Sequence, residues 1–213
     1  MIRRRLLIAV TLGIFGAGCS SVERSRNLAD PAVPGRVFAE QVCSTCHGLD
    51  GNSQSPAFPR LAGQQVIYLT NQLSNFRAHH RIDPAGSEYM WGLSHHLTDA
   101  QIADIAEYYS AQTPRRSSQR VADPKLFAEG KTIFENGVPE QKVIACMACH
   151  GPKAQGIQAF PRLAWQHADY IVKQLNVFQN TQGRPGTPME FVVHPLTGAN
   201  KAAVAAYLQA FPD

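Results

Sequence analysis

The chain has 213 residues, 44% of them hydrophobic, and a formal net charge of +4. That is material for one medium or two small globular domains, and it excludes a disordered or fibrous chain. Arg3, Arg4 and Arg5 carry three of the 20 basic charges, so from Cys19 onward 17 Lys and Arg face 16 Asp and Glu, a net of +1; no basic stripe of the kind that binds nucleic acid remains.

The first element is an export signal. "MIRRR" is a basic start, and residues 6–18, "LLIAVTLGIFGAG", form an apolar stretch that ends in small residues. As a helix, these thirteen residues span only about 20 Å of a bilayer core of roughly 30 Å, so they do not read as a membrane anchor. Residues 1–19 are assigned to the signal, which sends the mature chain to the periplasm. "GAGCS" resembles a bacterial lipoprotein signal, apart from Gly16 where that pattern has Leu. The resemblance implies a lipid anchor at Cys19 and a tether to a membrane. Ordinary cleavage nearby, with Cys19 discarded, is the alternative. Residues 20–34 are polar, include Pro31 and Pro34, and read as a tether.

Beyond the tether the chain repeats itself. "CSTCHG" (43–48) returns as "CMACHG" (146–151), and "AFPRLAGQ" (57–64) as "AFPRLAWQ" (159–166), at an offset of 102. Tyr68, Gln72, Leu73 and Phe76 match Tyr170, Gln174, Leu175 and Phe178 at the same offset. A period near 100 residues is too long for a solenoid and indicates duplicated domains. The expected units are residues 35–112 and 124–213, joined by a polar linker at 113–123.

Both units read as helical. A short helix from about Arg36 leads into the first Cys pair. Val66, Leu69, Leu73 and Phe76 mark one helix face, and Ala168, Ile171, Leu175 and Phe178 mark its counterpart. Thr98 and Gln101 form a capping-box pattern before a stripe of Ile102, Ile105, Ala106 and Tyr109. Val204, Tyr207, Leu208 and Phe211 repeat that stripe. No segment has the period of a strand. The fold class is all-α, two small bundles with long loops.

Cys43, Cys46 and His47, and again Cys146, Cys149 and His150, form the Cys-x-x-Cys-His signature of covalent haem attachment. Two thiols three residues apart on a helical turn reach both vinyl groups of one porphyrin and form thioethers. The adjacent imidazole then lies under the ring, where it ligates iron. Covalent attachment lets a domain of about 80 residues keep a group that supplies much of its core. The expected cofactors are therefore two haem c, with His47 and His150 as iron ligands. A redox dithiol would sit in a βαβ context, which is absent. A shared zinc does not need a complete domain around each pair. A disulfide across this spacing would be strained. None of these readings uses the histidines.

Each iron has a second axial position. Apart from Met1 and Met147, which lies inside a Cys pair, the methionines are Met90 and Met189. They stand seven residues before Leu97 and Leu196, in expected loops ahead of the last helix of each unit. His/Met ligation raises the reduction potential and fills both axial sites. That favours an electron carrier with no catalytic residue over an enzyme. His79, His80, His95 and His96 are rivals of Met90, and His194 is a rival of Met189.

Over about residues 35–213 the chain resembles the dihaem cytochromes of the c4 type, tandem class I cytochrome c domains. The two Cys-x-x-Cys-His-Gly motifs, the "FPRLA" segments, the Tyr-x-x-x-Gln-Leu-x-x-Phe helices and the two Met-x6-Leu segments carry the resemblance. It implies a shuttle between membrane redox proteins, with a quinol-oxidising complex as donor and a terminal oxidase as acceptor. It further implies that Pro59 and Pro161 lie against the proximal histidines and that Arg60 and Arg162 approach the propionates. The chain departs from its own repeat at residues 130–143, which read as an insertion, and at Trp165, where the first unit has Gly63. Both imply an altered surface near the second haem. Two alternatives are a haem subunit dedicated to one periplasmic dehydrogenase and a dihaem peroxidase or thiosulfate-oxidising enzyme. An enzyme would need an open axial site.

Overall fold

The computed structural model describes residues 25–83, 86–117, 123–180, 184 and 187–212; the expected export signal and Cys19 lie outside them. The first half runs α1 (Gly35–Phe38), a π-helical turn (Ala39–Cys43), α2 (Ser44–His47), α3 (Val66–Arg77), α4 (Gly86–Ser94) and α5 (Asp99–Ser110). The second runs α6 (Pro124–Asn136), a 3₁₀ turn (Pro139–Gln141), α7 (Met147–His150), α8 (Ala168–Gln179), α9 (Met189–Val193) and α10 (Gly198–Gln209). Among the described residues the β-structure consists of two isolated bridges, Val138 with Val143 and Ile157 with Phe160. The expected all-α, two-domain architecture is present.

Local chemistry explains where the long helices begin. Thr98 accepts from the Gln101 N–H while Gln101 reaches back to the Thr98 N–H, so two donors that the first turn leaves free are satisfied. Thr197 and Asn200 close the same box at α10. Past each cap the apolar stripe turns inward. Ile102, Ile105, Ala106 and Tyr109 are buried, as are Val204, Tyr207, Leu208 and Phe211. On α3, Leu69 and Phe76 are buried, but Val66, in the first turn, is exposed.

Each terminal helix is crossed at a glycine. A Cβ at Gly35 would strike the Gln101 carbonyl and the Asp104 Cβ; one at Gly130 would strike the Ala203 carbonyl and the Tyr207 Cβ. The missing side chains let α1 meet α5 and α6 meet α10 at backbone contact distance. Residues 130–143 carry the expected extra length, since Gly130 stands sixteen residues before Cys146 and Gly35 only eight before Cys43, and Pro139, Glu140 and Lys142 among them are exposed. This segment is the end of α6 and a loop closed by paired bonds between Val138 and Val143, at 2.9 and 3.1 Å. Trp165 adopts the left-handed conformation of its counterpart, with φ of 64° against 63° at Gly63. Its indole donates to the Phe211 carbonyl at 2.9 Å, and the Arg162 guanidinium lies 4.8 Å from its ring centre.

The two halves join across a pseudo-two-fold junction. The Gln166 amide accepts from the Arg60 N–H at 2.8 Å and donates to the Arg60 carbonyl at 2.9 Å. Gln64 mirrors it, accepting from the Arg162 N–H at 2.7 Å and donating to the Arg162 carbonyl at 3.1 Å. Gln65 donates to the Gln155 carbonyl at 2.9 Å; the matching positions place His167 Nε2 3.0 Å from the Ser53 carbonyl. Both glutamines are buried, and their pairing satisfies polar groups that burial would otherwise penalise.

A second symmetric layer surrounds Arg81 and Arg184. Arg81 lies over Phe76 and bonds Gln72 and Gln174; Arg184 lies over Phe178 and bonds the same two amides. Asp83, with 0% exposure, takes Arg81 Nε at 2.6 Å and the Gln174 amide at 3.3 Å. Burial alone would raise the Asp83 carboxyl, but the Arg81 hydrogen bonds and charge outweigh it and hold the group below its ordinary range.

Gly130→Ala is expected to cost about 1–3 kcal/mol or more through overpacking, whereas Gly198→Ala, which meets open space, should change little. Denaturant midpoints of the two variants check this. Asp83→Asn is expected to lose about 3 kcal/mol or more at neutral pH, because it leaves the Arg81 charge buried and uncompensated. A carboxylate depressed in the folded state stabilises above its unfolded pKa of about 3.9, and that stability is lost as pH falls through the folded value. Unfolding measured from neutral to acid pH should therefore show a shallower acid decline in Asp83→Asn than in the parent.

Candidate haem-binding sites

Each site begins at a helical turn that ends in a left-handed glycine. Cys43 closes the π-helical turn, while Cys46 and His47 follow on α2; Cys146 precedes α7, which carries Cys149 and His150. Gly48 and Gly151, at φ of 81° and 80°, turn the chain away immediately after each histidine. The histidines are buried, and their Nδ1 atoms lie 2.9 Å from the Pro59 and Pro161 carbonyl oxygens. The contact that the resemblance implied for both prolines is thus seen.

A carbonyl only accepts, so each Nδ1 carries the ring proton and each Nε2 keeps its lone pair. Burial lowers both imidazole pKa values, against a weaker raising effect of the carbonyl bonds, which keeps the rings neutral at neutral pH. His150 Nε2 is buried without a hydrogen-bond partner. A buried, unpaired lone pair held at a fixed angle is what a metal ligand requires. Phe58 and Phe160 meet the two rings edge-on, with centres 6.3 and 6.2 Å apart. All four cysteines are free thiols, and burial pushes Cys43 up to about 12 and Cys146 to about 11.

Met90 stands within α4 and Met189 opens α9, so the expected loops are short helices instead. These helices lack the long apolar stripe that would reveal them in sequence. Both methionines face the same cavity as the two Cys pairs and both histidines. That cavity is continuous between the halves and has a volume of about 1590 Å³, beyond the roughly 300–1,000 Å³ of a single small-molecule site. Tyr68, Gln72, Arg81 and their counterparts Tyr170, Gln174 and Arg184 line its middle.

The rival histidines divide. His79 and His80 are exposed and border the cavity that Met90 also lines. His95 turns Nδ1 to the Trp91 and Gly92 carbonyls, at 3.2 and 3.0 Å. His96 is exposed, with its ring centre 3.8 Å from that of His95 and tilted by 42° to it. Arg60 and Arg162 border the cavity with buried, unpartnered Nε atoms, donors free for an anionic group.

Sequence reasoning missed the glutamines of the junction and the Arg81–Asp83 pair. Gln64 and Gln166 close the repeated eight-residue segment, and that retention in both halves is the signal that was there to read.

Cysteine pairs on helical turns, neutral histidines with free Nε2 atoms and one large cavity walled from both halves fit two covalently held porphyrins. Comparison with known proteins agrees. The family model for cytochrome c matches residues 32–111 and 127–211. Cytochrome c-552 of Acidithiobacillus ferridurans is 38% identical over 207 residues, covering 97% of this chain and 86% of that protein. Cytochrome c4 of Pseudomonas aeruginosa is 36% identical over 212 residues, covering 96% and 98%. The "thiosulfate dehydrogenase electron acceptor" of Thiomonas intermedia is 35% identical over 215 residues, covering 98% and 92%. The solved cytochrome c4 of Acidithiobacillus ferrooxidans superposes with a TM-score of 0.74 at 40% identity, covering 79% of this chain and 98% of that one. The chain belongs to the cytochrome c family, as a two-domain electron carrier of the cytochrome c4 type that holds two haem c groups.

Proposed function

We propose that this chain is an exported carrier that takes single electrons from one membrane redox protein and delivers them to another, a quinol-oxidising complex and a terminal oxidase in turn. The observation that carries this reading is the doubled set of Cys, Cys, His and Met around one continuous cavity. When bound, each haem iron supplies one-electron exchange. Cys43 and Cys46, and Cys146 and Cys149, hold the porphyrins by thioethers. His47 and His150 donate from Nε2, with their rings oriented by the proline carbonyls. Met90 and Met189, which line the same cavity, would supply the second ligand of each iron, and such His/Met ligation would raise the potentials and disfavour substrate binding. The chain is then a carrier and not an enzyme.

A second reading has one specific support: the Thiomonas relative is named for accepting electrons from a thiosulfate dehydrogenase. In that reading the donor is a single periplasmic dehydrogenase and the chain is its dedicated haem partner. Reduction kinetics of the isolated protein with membranes and with thiosulfate dehydrogenase decide between the two donors.

Export places the protein in the periplasm, and lipid on Cys19 holds it at the membrane face; acyl chains supply the anchoring that a short apolar signal does not. Among the described residues no helix is long and apolar enough to cross a membrane.

Two covalent haems per chain are expected from pyridine haemochrome against protein mass; one haem, or haem released by acid acetone, overturns the assignment. Met90→Ala is expected to lower the potential of the N-terminal haem alone and to open it to carbon monoxide. Unchanged potentials with no carbon monoxide binding identify a histidine as that ligand instead. Cys19→Ser is expected to release the protein from the membrane; continued retention overturns the anchor.

A further inference from the structure

We propose that each domain sets the strength of the axial histidine in the other, through one peptide group: Gln166 acts on His47, and Gln64 acts on His150. The inference rests on the reading of His47 and His150 as iron ligands.

The Pro59 carbonyl that receives His47 Nδ1–H, at 2.9 Å, belongs to the same peptide as the Arg60 N–H. That N–H donates across the junction to Gln166 Oε1 at 2.8 Å. The twin path runs from His150 Nδ1–H to the Pro161 carbonyl at 2.9 Å, and from the Arg162 N–H to Gln64 Oε1 at 2.7 Å. The orientation of each side-chain amide is settled by its second bond, because Nε2 donates to the Arg60 or Arg162 carbonyl. Oxygen must therefore face the N–H.

A peptide whose N–H is engaged by a good acceptor has a more negative carbonyl oxygen. Hydrogen bonds in such a chain strengthen one another, by an estimated 10–30% per bond in condensed phase. A stronger acceptor at Nδ1–H makes the imidazole a better donor at Nε2. A better donor stabilises the ferric state and lowers the potential. Gln166 and Gln64 border the cavity, but the bonds they make run to the proline–arginine peptides, and they act through those peptides as positioning residues. Domain docking is thereby coupled to redox chemistry, with crossed control: each potential depends on a residue from the other half.

The test uses the mature holoprotein. Gln166→Leu removes the acceptor on the Arg60 N–H at similar volume. It is expected to raise the reduction equilibrium constant of the N-terminal haem roughly two- to tenfold, which is about 20–60 mV at 59 mV per tenfold for one electron, and to leave the C-terminal haem in place. Gln64→Leu should move the C-terminal haem alone. Each potential is assigned by following that haem's own proton resonances through the titration, and the Nδ1–H proton of the affected histidine should exchange faster with water. Gln65→Leu is the control, because it removes a junction bond, to the Gln155 carbonyl, that is not part of either path. The proposal is overturned if Gln65→Leu shifts the potentials as much, if each glutamine variant moves both haems equally, or if neither moves any. The ligand reading is tested separately on the parent protein: iron-shifted ring protons on His47 and His150 confirm it, and their absence removes that reading and the relay together. If the ring protons are shifted while both glutamine variants keep parental potentials, the ligands stand and the relay alone fails.

Discussion

The hydrogen bond from a histidine Nδ1–H to a proline carbonyl, made once in each half, is the constraint around which the rest is arranged. It fixes the tautomer, so Nε2 keeps the only free lone pair. It fixes the ring plane, because the donor direction and the Cα position leave little freedom. It also ties the helical turn bearing the cysteines to the irregular segment that follows, which has no helix of its own to hold it. The left-handed glycines after each histidine and the phenylalanine edges beside each ring serve the same end. Neutral imidazoles in a buried wall are the outcome, and burial, which lowers their pKa, keeps them so.

The junction uses the reverse side of the same peptides. Primary amides suit this work because one group both donates and accepts, and so pairs with a backbone N–H and carbonyl at once. Two such amides related by a pseudo-two-fold axis give a joint that is polar yet satisfied within the protein. The Arg60 guanidinium also crosses this joint, donating to the Trp165 carbonyl at 3.2 Å, and in the next layer Arg81, Arg184 and Asp83 meet the shared amides of Gln72 and Gln174. Among the described residues the symmetry is incomplete. Asp83 belongs to the first half, and His167 takes the place that Gln65 fills opposite it. A duplicated chain has thus kept its geometry while its electrostatics have diverged.

Much of this was legible before any coordinate. The Cys-x-x-Cys-His signatures, the paired methionines and the capped stripes each express a local rule of spacing, and local rules survive in a single sequence. The helices around Met90 and Met189 were not legible, because nine and five residues are too few to show a period. The added length of residues 130–143 was legible, but sequence offset alone does not show that it is spent on the end of a helix and its closing loop. The crossed pairing of Gln64 and Gln166 was hidden for a different reason. Repetition shows that a residue is kept twice, but the bond each makes is to the other copy, and nothing in one strand of text records which half a side chain faces.

The continuous cavity bears on how the protein is assembled. A wall contributed by both halves does not exist until they meet, and the amide pairs that close the joint lie on the peptides that meet His47 and His150. Thioether formation needs the cysteines reachable, and all four are half-buried in the joined protein. Each half carries its own Cys, Cys, His and Met, so the residues that would attach one porphyrin are complete without the other half, while the wall between the two sites is complete only in the joined protein.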